Sequence, residues 1–313
     1  MTLRLRSAKL PLLYHSSVLK CLNKKIAKLI AKKTERIIMK SRFKLLISAT
    51  LVMSLMLAGL VGCAPSAPES DAPENSPTTF TVGFDQAYPP YGFVGDDGEY
   101  TGFDLDLAAE VAKRNNWELK LEAIVWDAKD ALLNSGSIDV IWNGFTYEGR
   151  EKDYAWTAPY MLNEQVVVTK NGSDIKTLKD LAGKTVITQV ESAAFDVLNG
   201  DDYKDLLASL GSLQTISDYN NAFMQLESGT VDAVACDLSI AAFQQSAKAD
   251  AFTQISEPLS SEHYAVGFKL GNEDKAKTVE ETLLAMYNDG SVKKIAANYE
   301  QYGLSFENWV LKK

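Results

Sequence analysis

Residues Leu133 to Gly144 (LNSGSIDVIWNG) read against Leu226 to Asp237 (LESGTVDAVACD) at a constant offset of 93 positions. The shared pattern is L-x-S-G-[ST]-[IV]-D-[VA]-[IV]. In each copy the Ser-Gly pair is a helix stop, because glycine at that place can take the left-handed conformation that ends a helix. An aspartate then turns the chain and an apolar strand runs to a polar tip. A helix–glycine–strand connection is common, and one copy would mean little; similarity over nine positions can also arise by chance. Two copies are better explained by two sheets of related layout. In open α/β sheets ligands sit beyond the carboxyl ends of the strands. The tips at Asn143-Gly144 and Cys236-Asp237 are therefore predicted to face each other across a cleft between two lobes.

The surrounding pattern agrees with alternating strands and helices. Phe80–Phe84 is a short β-rich run followed by a turn with two prolines. Asp104 is placed to cap a helix reaching about Asn115, with Phe103, Leu107 and Val111 on one face. Trp117, Leu119, Leu121 and Ala123 alternate with Glu118, Lys120 and Glu122, the period of a strand. A short helix over 128–134 and strands over 138–142 and 165–169 follow. Strands separated by single helices predict parallel sheets covered on both faces.

Before Phe80 the chain is of another kind. Residues 1–44 hold thirteen of the 32 Lys and Arg and a single acid, Glu35, leaving 19 basic against 40 acidic residues in the remainder. A body so acidic repels nucleic acid and anionic membrane surfaces. Leu45–Gly62 is apolar and uncharged, preceded by the basic Met39-Lys-Ser-Arg-Phe-Lys44 and closed by Leu60-Val-Gly-Cys63. A basic flank, an apolar stretch and small residues before the cut are the signature of a secretory signal over 1–62. The closing residues resemble a bacterial lipobox, which implies lipidation of Cys63; the alternative is one membrane span, which eighteen residues nearly suffice to make. Residues 1–38 are read as an extension upstream of a start at Met39. Ala64–Thr79 is rich in Pro, Ser and Glu with few large apolar groups, so residues 63–79 are read as a lipidated cysteine and a flexible tether. Cys21 goes with the signal, Cys63 takes lipid and Cys236 stands alone, so the mature protein has no intramolecular disulfide available.

Several segments, in order, resemble the polar-amino-acid family of bacterial solute-binding proteins, the one that holds the glutamine-, histidine- and lysine/arginine/ornithine-binding proteins. Val82–Phe93 (VGFDQAYPPYGF) resembles the family's first strand and aromatic loop. Gly102–Leu107 (GFDLDL) is similar to its GFD-x-DL helix start. Gly144-Phe-Thr146 with Arg150, Leu178–Lys184 (LKDLAGK) and Val231–Asp237 resemble later segments. Similarity runs from about 80 to 310. The resemblance implies an α/β, two-lobed periplasmic-binding-protein-like fold, each lobe a mostly parallel sheet flanked by helices. Lobe 1 would be 80–166 plus 267–313 and lobe 2 would be 167–266, joined by two hinge strands near Val166–Val168 and Tyr264–Gly267. It implies an extracytoplasmic, monomeric, lipid-anchored component of an ABC transporter. Such a component closes on an amino acid and delivers it to a permease and its ATPase.

An α-amino acid presents a carboxylate, suited to a guanidinium, and an ammonium, suited to a carboxylate. By resemblance Arg150 binds the carboxylate with help from Thr146 and the Asn143-Gly144 region, and Asp237 binds the ammonium. Ser192 and Ala193 would supply N–H donors after the strand over 185–189. Tyr88 and Trp126 would sandwich the ligand's side chain, and Asp85 and Gln189 would meet its polar tip. Arg150 stands six residues after Gly144, one fewer than in many relatives, with Glu148-Gly149 between, which leaves room for Glu148 to enter the site. Asp85, Glu148 and Glu191 tilt the ligand toward a neutral polar or cationic amino acid. Arg150 paired on the surface with Glu148 or Glu151, Trp126 in the core, and Asp237 as a cap of the Leu238–Gln245 helix are the competing structural readings. No catalytic, metal-ligating or cofactor-binding set is read in the sequence. The competing functions are a sensor or adhesin on the same module and a dehydratase-like enzyme.

Overall fold

The computed structural model describes residues 78–312; the signal segment, Cys63 and nearly all of the tether lie outside the described residues. Strand β1 (Thr78–Phe84) is followed by a small antiparallel sheet of β2 (Ala87–Tyr88), β3 (Gly92–Val94) and β4 (Tyr100–Thr101). Then come helix α1 (Phe103–Arg114), β5 (Trp117–Ala123), α2 (Lys129–Ser135), β6 (Val140–Ile141) and β7 (Ala155–Trp156). A second series begins with β8 (Met161–Lys170), β9 (Thr185–Gln189), α3 (Ala193–Asn199), α4 (Lys204–Ser209) and β10 (Ser212–Ile216). It continues with α5 (Tyr219–Ser228), β11 (Ala233–Asp237), α6 (Leu238–Ala247), β12 (Phe252–Gln254) and β13 (Ser260–Tyr264). The chain then returns as β14 (Gly267–Phe268), α7 (Glu273–Asn288) and α8 (Ser291–Ala297).

These strands make two sheets, one per lobe, with the same layout. The first runs β5-β1-β6-β14-β7 and the second β10-β9-β11-β8-β12, with β13 paired to the start of β8. In each, the first three strands are parallel and the last two join antiparallel. The fourth place is filled in each lobe by a strand that arrives directly from the other lobe, which explains why it runs against its neighbours.

The repeat seen in the sequence is one structural unit used twice. Helices α2 and α5 both end on glycines, Gly136 and Gly229, each with φ near +76°. The following aspartates do the same work. Asp139 donates its N–H to the carbonyl of Thr81 at 2.8 Å and accepts the Thr81 N–H on Oδ2 at 2.8 Å. Asp232 makes the same two bonds to Thr185, at 3.0 and 2.8 Å. Each aspartate thus clips its strand to the central parallel neighbour, β6 to β1 and β11 to β9, and sends it toward the same end of its sheet.

Two expectations shift. The strand expected over 138–142 ladders only at Val140–Ile141, opposite Val82–Gly83 on one side and Gly267–Phe268 on the other. Asp104 does not cap α1: Gly102 is the cap position, without a side-chain bond, and Asp104 lies in the first turn with its carboxylate turned inward. Strand β5 alternates as read, and its more exposed face carries Glu118, Lys120 and Glu122, charges that discourage a second chain from adding to this edge. Helix α1 buries Phe103, Leu105, Leu107, Ala108, Val111 and Ala112 against the first sheet and the returning α7 and α8.

Candidate functional site

Tyr88, Trp126, Asn143, Gly144, Thr146, Arg150, Gln189, Ser192, Ala193 and Asp237 line one cavity where the two lobes meet. Those are ten of the eleven residues singled out in the sequence. The eleventh, Asp85, stands immediately behind: its Oδ2 accepts the Gln189 amide at 2.7 Å. The cavity volume is about 10 Å³, room for roughly one water. Admitting an amino acid therefore requires the walls to part.

Beside this cavity polar contacts join the lobes, while aromatic pairs such as Tyr88–Tyr219 and Phe93–Phe243 pack across as well. The Trp126 indole N–H reaches the carbonyl of Glu191 at 3.1 Å, and Lys129, almost wholly buried, pairs with the Glu191 carboxylate at 2.7 Å. Arg150 extends from the first lobe to Asp196 on α3 at 2.6 Å, with its plane over Phe145. Glu191 has φ +54°, a left-handed conformation that costs a non-glycine residue about 1 kcal/mol or more. That turn aims its carbonyl at Trp126 and Arg150. Trp126 is thus both packed, edge-on to Phe145, and part of the cavity wall.

Gly144 is fixed by backbone and space together. Its φ is +57°, and a Cβ there would come within 3.0 Å of the Tyr88 ring and 3.1 Å of the Tyr264 ring. Its N–H is committed to Asp104 Oδ2 at 2.6 Å, which also accepts the Tyr160 hydroxyl at 2.7 Å. Complete burial pushes the Asp104 carboxyl up to about 7. Next to it, both polar atoms of the buried Asn143 side chain are without a partner among the described residues, and so is the Tyr219 hydroxyl.

Some expected donors are already engaged. The Thr146 hydroxyl donates to Glu262 at 2.8 Å, and the Ser192 N–H turns back to the Gln189 carbonyl at 3.3 Å. The Ser192 side chain caps α3 by accepting from Phe195 N–H. Glu148 faces the other way, where its carboxylate takes the N–H and ring nitrogen of His263, because β13 passes beside this loop. Asp85 and Gln189 hold each other, and burial raises the Asp85 carboxyl. Asp237 stands at the cap position of α6 but makes no capping bond. Its carboxylate instead accepts from Tyr264 at 2.8 Å, Asn163 at 2.9 Å and Gln165 at 2.7 Å, and burial raises it too. The sequence reading missed Lys129, Asn163, Gln165, Glu262 and Tyr264. The signal was there for the last four: Asn163-x-Gln165 and Glu262-x-Tyr264 place polar groups at alternate positions of strands, on one face.

A guanidinium from one lobe and a carboxylate from the other thus line one cavity with aromatic walls. The model of the bacterial extracellular solute-binding proteins, family 3, matches residues 80–302. The chain belongs to this family. It is 30% identical over 227 residues to the L-cystine-binding protein TcyJ of Escherichia coli (strain K12), spanning 71% of this chain and 82% of that protein. Among solved structures it is similar to a histidine-bound ABC uptake transporter substrate-binding protein from Streptococcus pneumoniae, with TM-score 0.68 and 30% identity, covering 73% of this chain and 94% of that one. The protein Tv2483 bound to L-arginine matches with TM-score 0.68 and 26% identity, covering 74% and 93%. The resemblance read from the motifs is therefore borne out at the level of family and two-lobed fold.

Proposed function

We propose that this member of the family is the extracytoplasmic capture component of an ABC importer, binding a polar or basic amino acid between its lobes and presenting it to a permease. The observation that carries the reading is an interlobe cavity that has Arg150 on one side and Asp237 on the other. In the liganded state Arg150 exchanges Asp196 for the ligand's carboxylate, and Asp237 takes the ammonium. Asp85 and Gln189 release each other to meet the side chain. Closure is a hinge motion of the lobes. The first crossing, expected near Val166–Val168, is better taken as Met161–Gln165, because Val166–Val168 ladders with β11 inside the second sheet. The return crossing lies at Ser260–Tyr264 and the residues up to Gly267. The histidine and arginine bound by the relatives, and Asp85 behind this cleft, favour a neutral or cationic side chain. A screen of the common amino acids with cystine and ornithine by thermal unfolding tests this. The true ligand at 100 times its Kd stabilises by about 2.7 kcal/mol, and X-ray scattering of the same sample should show a smaller radius of gyration than without it. A flat screen, or tight binding of glutamate alone, would sink the assignment.

The anchor rests on the sequence. No helix among the described residues is long and apolar enough to cross a membrane, and Cys63 directly follows the apolar run ending in Leu60-Val61-Gly62. Labelled fatty acid is expected to enter the wild type and not Cys63→Ser; equal labelling of the two would contradict lipidation at this thiol.

A further inference from the structure

The ammonium site has a second carboxylate behind it. Strand β8 lies between β11 and β13, with Asp237 directly opposite Gln165 and Glu262 directly opposite Asn163. Asn163 and Gln165 are two residues apart, so all four side chains share one face. Each amide nitrogen is within hydrogen-bond distance of both acids. Asn163 Nδ2 reaches Asp237 Oδ1 at 2.9 Å and Glu262 Oε1 at 2.8 Å, and Gln165 Nε2 reaches the same two oxygens at 2.7 and 2.8 Å. Both acids are 3% exposed or less.

The groups around the pair bring no compensating charge. Tyr264 and Tyr88 face it from β13 and β2, Tyr91 from the loop after β2, Tyr219 from α5 and the Cys236 thiol from β11, all neutral near pH 7. Thr146 approaches from the first lobe. Asp104 lies beyond Tyr91, Arg150 is spent on Asp196, and His263 is paired with Glu148 and does not contact the pair. Among the described residues no Lys, Arg or His forms an ion pair with either acid. Two adjacent buried carboxylates without a cation do not both ionise; one keeps its proton.

We propose that Glu262 is a positioning residue of the ammonium site, holding one proton in common with Asp237 so that the buried pair presents a single negative charge to a cationic group. Burial, then the charge of Asp237, raises the Glu262 carboxyl, in keeping with this. The role rests on the amino-acid reading, but the shared proton does not. A cation beside the pair favours loss of that proton, so affinity for an ammonium rises with pH as the pair titrates. The limit is tenfold per pH unit for one linked proton.

Infrared spectroscopy of the unliganded protein against pH tests the proton. A protonated-carboxyl band belonging to the pair is expected, absent from both Glu262→Gln and Asp237→Asn, while the Asp104 band stays in all three. Glutamine keeps an oxygen for the three donors that Glu262 Oε1 accepts, so the fold should persist. If Glu262→Gln leaves every carboxyl band of the wild type in place, the shared proton is refuted. The second arm measures the Kd of L-arginine, whose own charge is constant, from pH 5 to 8. It should tighten with pH in the wild type and be flat in Glu262→Gln; equal slopes in the two overturn the positioning role. If none of the common amino acids, cystine or ornithine binds while the band behaves as expected, the amino-acid reading falls and the shared proton stands.

Discussion

Replacing Arg150 or Asp237 with alanine is expected to weaken amino-acid binding roughly 30- to several-thousand-fold in Kd, whichever amino acid is preferred. On the proposed function each side chain would face a group common to all α-amino acids, and the two come from opposite lobes to line one cavity. Truncating one partner of a desolvated charge pair costs about 2–5 kcal/mol, and about 1.4 kcal/mol is a factor of ten. The contact of Arg150 with Asp196 supplies the control. Asp196 is 56% exposed in its side chain, and such half-solvated pairs are worth about 1 kcal/mol or less. Asp196→Ala should therefore change Kd by no more than about fivefold, and by freeing the guanidinium it should shift it toward tighter binding. Asp85→Ala should alter the preference among amino acids more than overall affinity. Isothermal titration of the four variants, each shown to unfold as cooperatively as the wild type, decides the matter. Arg150→Ala binding within threefold of wild type would mean that the carboxylate is held elsewhere.

The second large effect is on stability. Asp104→Ala at pH 5 should cost about 2–6 kcal/mol, because the Gly144 N–H and the Tyr160 hydroxyl lose their buried acceptor and each such orphan costs about 1–3 kcal/mol. The pH dependence has a definite sign. Folded Asp104 holds its proton to about pH 7, against 3.8 as the ordinary value. Between those values the folded protein binds more protons than the unfolded chain, so stability falls as pH rises through the window. At about 1.36 kcal/mol per unit the fall is on the order of 4 kcal/mol. Asp104→Asn keeps an accepting oxygen and removes the titration, so its stability relative to wild type should grow from pH 5 to pH 8. Urea unfolding of wild type and both variants at the two pH values reads this difference. Asp237 and Glu262 cancel from it, since they are present in all three. Parallel pH profiles for wild type and Asp104→Asn would show that the carboxyl is not held protonated.

The duplication and the direction of the strand tips were legible because each follows from local pattern, whereas most of the residues gathered at the cavity were named through the resemblance to the family. Glycine ends the helices before β6 and β11, the aspartates clip both strands, and the tips must then lie at matching ends of two sheets. What stayed hidden depends on register or on rigid-body placement. Glu262 reads as one acid in a short strand, and its meeting with Asp237 requires β8 to lie between two strands that are distant from it in the sequence. Asp196 looks like an ordinary acid of a helix until the lobes are set together. Asp104 was misread as a cap since an acid in a first helical turn has that role so often. Only the approach of Gly144 shows why it points inward.

The exchange of strands between the sheets has a consequence for how the chain acquires its shape. Every strand of the second sheet lies within one continuous stretch, β8 to β13, whereas β14, the strand that joins β7 to the rest of the first sheet, comes only after that stretch is finished. A chain emerging from its amino end can therefore complete the later lobe while the earlier one still waits. The earlier lobe depends on contacts of high sequence separation, which form slowly. Its last sheet partner arrives near the carboxyl end, so this half of the molecule cannot be finished until almost the entire polypeptide is free.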